Sequence, residues 1–98
     1  MSIIMHTKPG CVYCERAKEF MLDKHIPFTT VCHDPKSEIY EREKNALVAK
    51  THHPTFPQIF VGETFVGGYS ELVMSYSTFS LHILCNKIGI NLDADFDF

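Results

Sequence analysis

The fold is decided by a seven-residue stretch near the start of the chain, Lys8-Pro9-Gly10-Cys11-Val12-Tyr13-Cys14. It follows a short apolar run at residues 2–6, which is typical of a buried strand. The proline and glycine break this strand, and a helical pattern of apolar and polar positions follows from about Cys11 to about Lys24. The two cysteines are therefore predicted at a junction where a strand ends and a helix begins.

The next segments predict a second strand and a second helix. Phe28–Cys32 is rich in β-branched residues, which favour strands. Asp34 and Pro35 suit a helix start, because Asp caps free amides and Pro fits the first helical position. The helix should continue to about Lys50. The residues expected on its inner face are Ile39, Ala46 and Leu47.

The last third of the chain predicts a hairpin and a further helix. Gln58–Val61 and Thr64–Val66 are short strands around Gly62-Glu63, a two-residue turn signal. Helical segments should follow from about Ser70. Their buried stripe, at helical spacing, is Leu81, Leu84, Cys85 and Ile88. The order β-α-β-α-β-β-α predicts an α/β fold: a four-stranded mixed sheet with a right-handed first crossover and helices on both faces.

Length and charge narrow the class of protein. The 98 residues suit one domain, which we assign to residues 1–90, with an acidic, aromatic tail at 91–98. A net charge of −3 without a basic stripe argues against nucleic-acid binding. No apolar run is long enough to span a membrane, and the start lacks the charged and apolar regions of a signal peptide. We expect a monomer in the reducing cytoplasm.

The strand–helix junction gives Cys11 and Cys14 their predicted chemistry. Free amide groups and the positive end of the helix dipole lie at that point and favour a thiolate. Cys11 should be the more exposed and acidic thiol, with Lys8 adding a cation nearby. Cys14 lies three residues on, within reach of Cys11. We therefore predict that Cys11 attacks a substrate disulfide and Cys14 resolves the resulting mixed disulfide.

Other uses of the cysteines and histidines remain open. A zinc site would need a second ligand pair at suitable spacing, and neither Cys32 nor Cys85 supplies one, so we predict no metal site. An incidental pair is the remaining alternative. Cys32 is predicted to be a buried, inert thiol and Cys85 a core residue. His52-His53 is interpreted as a solvated loop pair rather than a metal site.

Three motifs together resemble the glutaredoxin family. They are Lys8-Pro9-Gly10-Cys11-Val12-Tyr13-Cys14, Thr55-Phe56-Pro57 and Gly67-Gly68-Tyr69-Ser70-Glu71-Leu72. The resemblance covers residues 2 to about 75. It implies a thioredoxin-like fold and glutathione as reductant, with glutathionylated and disulfide-containing proteins as substrates.

The resemblance also implies a glutathione site. Lys8 and Tyr13 would border the tripeptide, and Phe56 would bond it through its backbone next to a cis Pro57. Ser70, with the amides after the glycine pair, would hold the γ-glutamyl end. The residues expected to bind glutathione are Lys8, Tyr13, Thr55, Phe56, Pro57, Gly68, Tyr69 and Ser70.

The sequence departs from the family pattern at three positions and carries an unusual tail. Val12 replaces the usual proline. In the family, loss of this proline sometimes accompanies a glutathione-ligated iron–sulfur cluster shared by two subunits. That cluster carrier or sensor, with Cys11 as ligand, is the alternative function. Phe56 replaces valine and Tyr69 replaces a common cysteine. Residues 92–96 resemble the peptide with which ribonucleotide reductase small subunits dock, so ribonucleotide reductase is a predicted partner.

Overall fold

The computed structural model describes residues 1–92 as one four-stranded sheet with four helices. The strands are β1 (Ile3–Thr7), β2 (Thr29–Cys32), β3 (Gln58–Val61) and β4 (Thr64–Gly67). The helices are α1 (Val12–Asp23), α2 (Tyr40–Thr51), α3 (Tyr69–Ser77) and α4 (Ser80–Lys87). The sheet order is β2-β1-β3-β4, with β1 and β2 parallel and the other pairs antiparallel. The predicted α/β fold with a mixed sheet is confirmed.

One face of the sheet carries the main hydrophobic core. Alternate residues of β1 are fully buried, as expected for side chains that point to one face of a strand. They pack with residues of α1, α3 and α4. The buried members of this core are Ile3, Met5, Ala17, Met21, Ile26, Ile59, Val61, Leu72, Leu81 and Cys85.

The other face of the sheet is covered by α2. His6 lies between two buried residues of β1 and points to this face, where its ring meets the Phe60 ring edge-on at 5.6 Å. The Lys50 ammonium of α2 lies 5.2 Å from the centre of the same Phe60 ring. Helices therefore lie on both faces, and this second face holds the polar side chains of His6 and Gln58.

The start of α2 differs from the prediction. Asp34 caps a turn instead of a helix: its carboxylate accepts from the Lys36 amide at 2.9 Å. The helix begins only at Tyr40, which is buried, and this changes which residues face inward. The predicted inner residues Ile39 and Ala46 are exposed, so those two assignments are wrong.

The last helical region is two helices, where the predicted element order had one. Phe79 adopts a left-handed conformation with φ of 65° and separates α3 from α4. No glycine or proline marks this break, so the sequence pattern could not indicate it. The predicted stripe is confirmed, with Leu81 and Cys85 buried and Leu84 and Ile88 packed against the core.

The edge of the sheet explains a second wrong prediction. β2 is an edge strand, and all four of its residues are exposed. Cys32 is therefore an exposed thiol, not a buried one. Its β-branched neighbours indicate a strand but cannot distinguish an edge from a centre.

Within residues 1–92, no helix has the length and apolar character needed to cross a membrane. Leu92 still packs against the core. The predicted docking segment at 92–96 otherwise lies outside the described residues.

Candidate functional site

The two cysteines occupy the first turn of α1. Cys11 is the N-cap residue, and the Cys14 amide donates a hydrogen bond to the Cys11 Sγ atom at 3.1 Å. The two residues form a disulfide, with Cα atoms 5.2 Å apart. Cys11 is partly exposed, whereas Cys14 is 0% exposed. An incoming disulfide can therefore reach only the Cys11 sulfur.

The backbone before the helix places Cys11 at this position. β1 ends at Thr7, and a turn follows in which Gly10 has φ of 70°, a conformation that favours glycine. The chain then enters α1 with the Cys14 amide directed at the Cys11 sulfur. This amide and the helix dipole favour the negatively charged sulfur over the thiol.

The loop between α2 and β3 forms the second wall of the site. The peptide bond between Phe56 and Pro57 is cis, as the resemblance implies. The Phe56 carbonyl oxygen lies 3.7 Å from the Cys11 Sγ atom. The Phe56 ring is 8% exposed and packs in a small cluster with Cys14 and Tyr40. The loop backbone is therefore held directly against the reactive sulfur.

A buried glutamine holds this loop to the end of α2. The Gln58 side chain is 1% exposed, and its Nε2 atom donates to the His53 carbonyl at 2.7 Å. Its Oε1 atom accepts from the Thr51 hydroxyl at 3.1 Å. The Thr51 oxygen also accepts from the His53 amide at 3.2 Å. These bonds join the loop to the helix on one side and to β3 on the other.

Two clefts meet at the Phe56 loop, and Cys11 lines one of them. One, of about 530 Å³, is lined by Lys8, Cys11, Val12, Tyr13, Lys44, Pro54, Thr55 and Phe56. The other, of about 200 Å³, is lined by Tyr13, His53, Thr55, Phe56, Pro57, Gly68, Tyr69, Ser70 and Glu71. Because both are lined by Tyr13, Thr55 and Phe56, they form one groove. All eight residues expected to bind glutathione line this groove.

Three polar lining residues were not among the site residues predicted from the sequence. Lys44 reaches the groove from α2 and gives the same cleft a second cation beside Lys8. Its position one helical turn after the buried Tyr40 could have indicated this, had the helix start been known. His53 is half-buried and not fully solvated, and its Nε2 atom lies 3.3 Å from the Thr55 hydroxyl. That part of the loop-pair prediction is wrong.

Glu71 is the third such residue, and it shapes the start of α3. Its carboxylate accepts from the Gly68 amide at 2.8 Å, three residues before it. Gly67 has φ of 132°, and a Cβ atom there would lie 2.5 Å from the Glu71 Cβ atom. Only glycine fits at position 67. The Gly-x-x-Glu spacing is the sequence signal for this cap.

A pair of histidines lies behind the Phe56 loop and was missed entirely. His33 is 4% exposed, and its Nε2 atom is 2.8 Å from the His6 Nδ1 atom. The His33 ring lies against the Phe56 ring with centroids 5.6 Å apart. Burial, followed by the neighbouring His33 and Lys50, lowers the pKa of His6 below its usual 6.5. No sequence motif joins residues so far apart in the chain.

The remaining cysteines lie outside the groove. Burial raises the pKa of the Cys85 thiol to about 11, which makes it unreactive, as predicted for a core residue. Cys32 is exposed but lines neither cleft. Among residues 1–92, no group of three or more histidine, cysteine or carboxylate side chains is placed to hold a metal ion.

Comparison with known proteins adds independent evidence. A sequence model of the glutaredoxin family matches residues 3–66. A glutaredoxin from Pseudomonas aeruginosa is 36% identical over 70 residues, which cover 71% of this chain and 79% of that protein. The solution structure of glutaredoxin from Brucella melitensis superposes with a TM-score of 0.71 at 29% identity, covering 92% of this chain and 94% of that one.

A more distant structure has the same fold. The buckwheat glutaredoxin–glutathione complex superposes with a TM-score of 0.81 at 20% identity, covering 92% of this chain and 81% of that one. The fold is therefore thioredoxin-like, as expected. The family match includes both cysteines and the cis-proline loop. On this sequence match and this geometry, the chain belongs to the glutaredoxin family and is a thiol–disulfide oxidoreductase with Cys11 and Cys14 as its redox pair.

Proposed function

We propose that the protein uses glutathione to reduce two kinds of substrate: glutathione mixed disulfides through Cys11 alone, and protein disulfides through Cys11 and Cys14. The observation that carries the proposal is the groove across Cys11, with lysines at one end and a helix N-terminus at the other. Glutathione carries a carboxylate at each end and a thiol in the middle. Its charges and its sulfur match the groove in the same order.

Each part of glutathione has a counterpart in the groove. The ammonium groups of Lys8 and Lys44 suit the glycine carboxylate. The first amides of α3 have no partner within the helix and suit the γ-glutamyl carboxylate, while the Glu71 carboxylate suits the adjacent ammonium. The Phe56 backbone can pair with the peptide as a strand edge does. The buckwheat complex, which shares this fold, supports the choice of ligand.

The reaction with a glutathione mixed disulfide needs only Cys11. The Cys11 thiolate attacks the glutathione sulfur, forms a Cys11–glutathione disulfide and releases the substrate as a thiolate. A second glutathione thiolate then attacks the bound glutathione sulfur. This releases oxidised glutathione and restores the Cys11 thiolate. In total, one mixed disulfide and one free glutathione give one substrate thiol and one oxidised glutathione, so the electrons balance.

The reaction with a protein disulfide uses both cysteines. Cys11 attacks one substrate sulfur and forms a mixed disulfide, and the other substrate sulfur leaves as a thiolate. Cys14 then loses its proton and attacks the Cys11 sulfur, which releases the reduced substrate. The product is the Cys11–Cys14 disulfide seen in the structure. Two glutathione molecules reduce it, so the electrons balance.

Two substitutions test the proposal. The substrate is a small thiol bonded to glutathione, and turnover is followed by coupling oxidised glutathione to glutathione reductase. Cys14→Ser should retain turnover, and Cys11→Ser should abolish it. Cys32→Ser is the matched control, because it removes an exposed thiol outside the groove. Equal losses in the Cys11 and Cys14 variants, or turnover that does not require glutathione, would contradict the proposal.

The proposal places the protein in the cytoplasm, where glutathione is available. Ribonucleotide reductase as an electron acceptor stays a prediction, and deleting residues 93–98 tests it: an unchanged rate of ribonucleotide reduction would contradict docking through this segment.

The iron–sulfur alternative also stays a prediction. Anaerobic purification should give a colourless, active monomer if the protein is an exchange enzyme, and a brown dimer if it carries a cluster.

A further inference from the structure

Two histidines meet edge to edge behind the active-site loop. The His6 Nδ1 and His33 Nε2 atoms are 2.8 Å apart, while the ring centroids are 5.1 Å apart. Centroids this distant, with nitrogen atoms this close, require the rings to meet in plane. The contact is therefore a hydrogen bond between ring nitrogens, with one nitrogen donating and the other accepting.

His33 connects this pair to the catalytic sulfur. Its ring lies against the Phe56 ring at 5.6 Å with planes inclined by 28°, and the Phe56 carbonyl lies 3.7 Å from the Cys11 Sγ atom. The His33 backbone amide donates to the Thr7 carbonyl at 2.8 Å, which fixes the residue to the end of β1. His33 is thus a rigid support for the Phe56 ring, and the Phe56 backbone borders the substrate groove.

The other nitrogen of His33 faces a carboxylate. The His33 Nδ1 atom is buried without a hydrogen bond, and the Glu43 Oε1 atom of α2 lies 3.5 Å from it. A small movement of Glu43 would allow this nitrogen, when protonated, to donate to the carboxylate. The cluster can therefore accept one positive charge on His33 while its contact with His6 is kept.

A second proton has no place in this arrangement. With both rings protonated, His6 Nδ1 and His33 Nε2 would both be donors and would face each other at hydrogen-bond distance. Two adjacent positive charges would also repel each other in a partly buried site. The His6–His33 contact must then open, and His33 is the member that lies against Phe56.

We propose that His33 is a positioning residue that seats Phe56 against Cys11, and that full protonation of the His6–His33 pair weakens this seating at acidic pH. The effect rests on the proposed pairing of peptide substrates with the Phe56 backbone. Substrate docking would then weaken on acidification, in addition to the ordinary loss of the Cys11 thiolate.

The charges around the pair favour a single protonation. On α2, Glu43 favours a positive charge, whereas Lys50 opposes one at His6. The neighbours of His6 across the sheet are Val31 on β2 and Gln58 on β3, and neither carries a charge. The lowered pKa of His6 agrees with resistance to the second proton.

The test separates docking from thiolate chemistry. The probe is a short uncharged peptide whose cysteine is disulfide-bonded to thionitrobenzoate. The Cys11 thiolate attacks the peptide sulfur, and released thionitrobenzoate is measured in the first turnover. Alkylation of Cys11 by iodoacetamide, followed by mass spectrometry, reports the thiolate alone. All proteins carry Cys32→Ser, and the ratio of the two rates is measured between about pH 5 and pH 8, the range in which histidine titrates.

The expected results concern that ratio. In the wild type it should fall about tenfold on acidification, less than the roughly hundredfold that a displacement of about 1 Å can cost. In His6→Asn the ratio should not depend on pH, because Asn keeps a hydrogen-bonding group and takes no proton. If His6→Asn does not fold, His33→Phe, which keeps an aromatic ring against Phe56, should give the same pH-independent ratio. The control His25→Asn changes an exposed histidine with φ of 57°, which Asn tolerates, and should retain the wild-type profile.

Three results would overturn the proposal. A constant ratio in the wild type, or the wild-type slope in both histidine-pair variants, would refute the role of the histidine pair and nothing else. If the wild type at neutral pH reduces the peptide disulfide no faster than a non-peptide thionitrobenzoate disulfide, the peptide pairing at Phe56 fails as well. The glutathione dependence is tested separately by the Cys11 and Cys14 variants.

Discussion

Replacing Gln58 with leucine should destabilise the protein and disturb the groove together. Gln58 is 1% exposed and makes two side-chain hydrogen bonds, to the His53 carbonyl at 2.7 Å and to the Thr51 hydroxyl at 3.1 Å. Leucine has a similar size but no polar atoms. Gln58→Leu therefore removes both bonds without leaving a large cavity.

The magnitude follows from what the partners lose. Thr51 keeps its hydrogen bond to the Leu47 carbonyl at 2.8 Å, so its loss is about 0.5–1 kcal/mol. The His53 carbonyl loses its short hydrogen bond, which costs about 1–3 kcal/mol if the oxygen stays buried. We expect the free energy of unfolding to fall by roughly 2–3 kcal/mol, which for a domain of this size lowers Tm by roughly 10–20 °C.

Thermal and urea unfolding of the oxidised protein measure this effect. The matched control is Ser77→Ala, which removes an exposed hydroxyl that donates to the Met74 carbonyl at 2.8 Å, and should change stability by less than about 0.5 kcal/mol. The KM for glutathione should also rise in Gln58→Leu, because the loop that carries Phe56 loses its anchor. A Tm equal to that of Ser77→Ala would refute the reasoning.

Three further predictions concern charge and thiol reactivity. Lys44→Ala should raise the KM for glutathione about twofold to fivefold, as expected for one exposed ion pair, and the exposed Lys36→Ala should not; equal KM values in the two variants would exclude Lys44 from the site. Iodoacetamide at pH 8 should modify Cys32 but leave Cys85 unmodified until the protein is unfolded, because burial raises the pKa of Cys85 to about 11; mass spectrometry distinguishes the two sites, and early modification of Cys85 would contradict its burial. The folded state lowers the pKa of His6, so the unfolded chain binds a proton more readily and stability should fall as the pH drops below about 6.5; His6→Asn should reduce this slope in urea unfolding, and an unchanged slope would contradict it.

The strands, the first helix and the redox pair could be predicted because their signals are local. The apolar run before Cys11 and the helical spacing after it both lie within about one element length. The start of α2 could not be predicted, because Asp34 is equally suited to cap a turn or a helix. Only the burial of Tyr40 decides between them. Exposure of Cys32 depends on the order of strands in the sheet, which local composition does not specify.

The residues of the site likewise include some that the sequence could predict and some that it could not. The eight residues expected to bind glutathione were predicted through a family resemblance, and all eight line the groove. Lys44 was missed because its place depends on the phase of α2, and that phase depends on where the helix begins. His6 and His33 are 27 residues apart and come together only through the parallel pairing of β1 and β2. A pattern search along the chain has no means of joining them.

The position of Phe56 is where these separate features meet. From the α2 side, Gln58 fixes the backbone of the loop that leads to Phe56; from the β1 side, His33 fixes its ring. The Phe56 carbonyl in turn borders the Cys11 sulfur, while Cys14 lies beneath it and is inaccessible to substrate. The helix N-terminus favours a negative charge on Cys11, whereas the Phe56 loop restricts what can approach it, so acidity and substrate access depend on different parts of the site. Substitutions behind Phe56 should therefore alter which disulfides react without altering how readily Cys11 is alkylated.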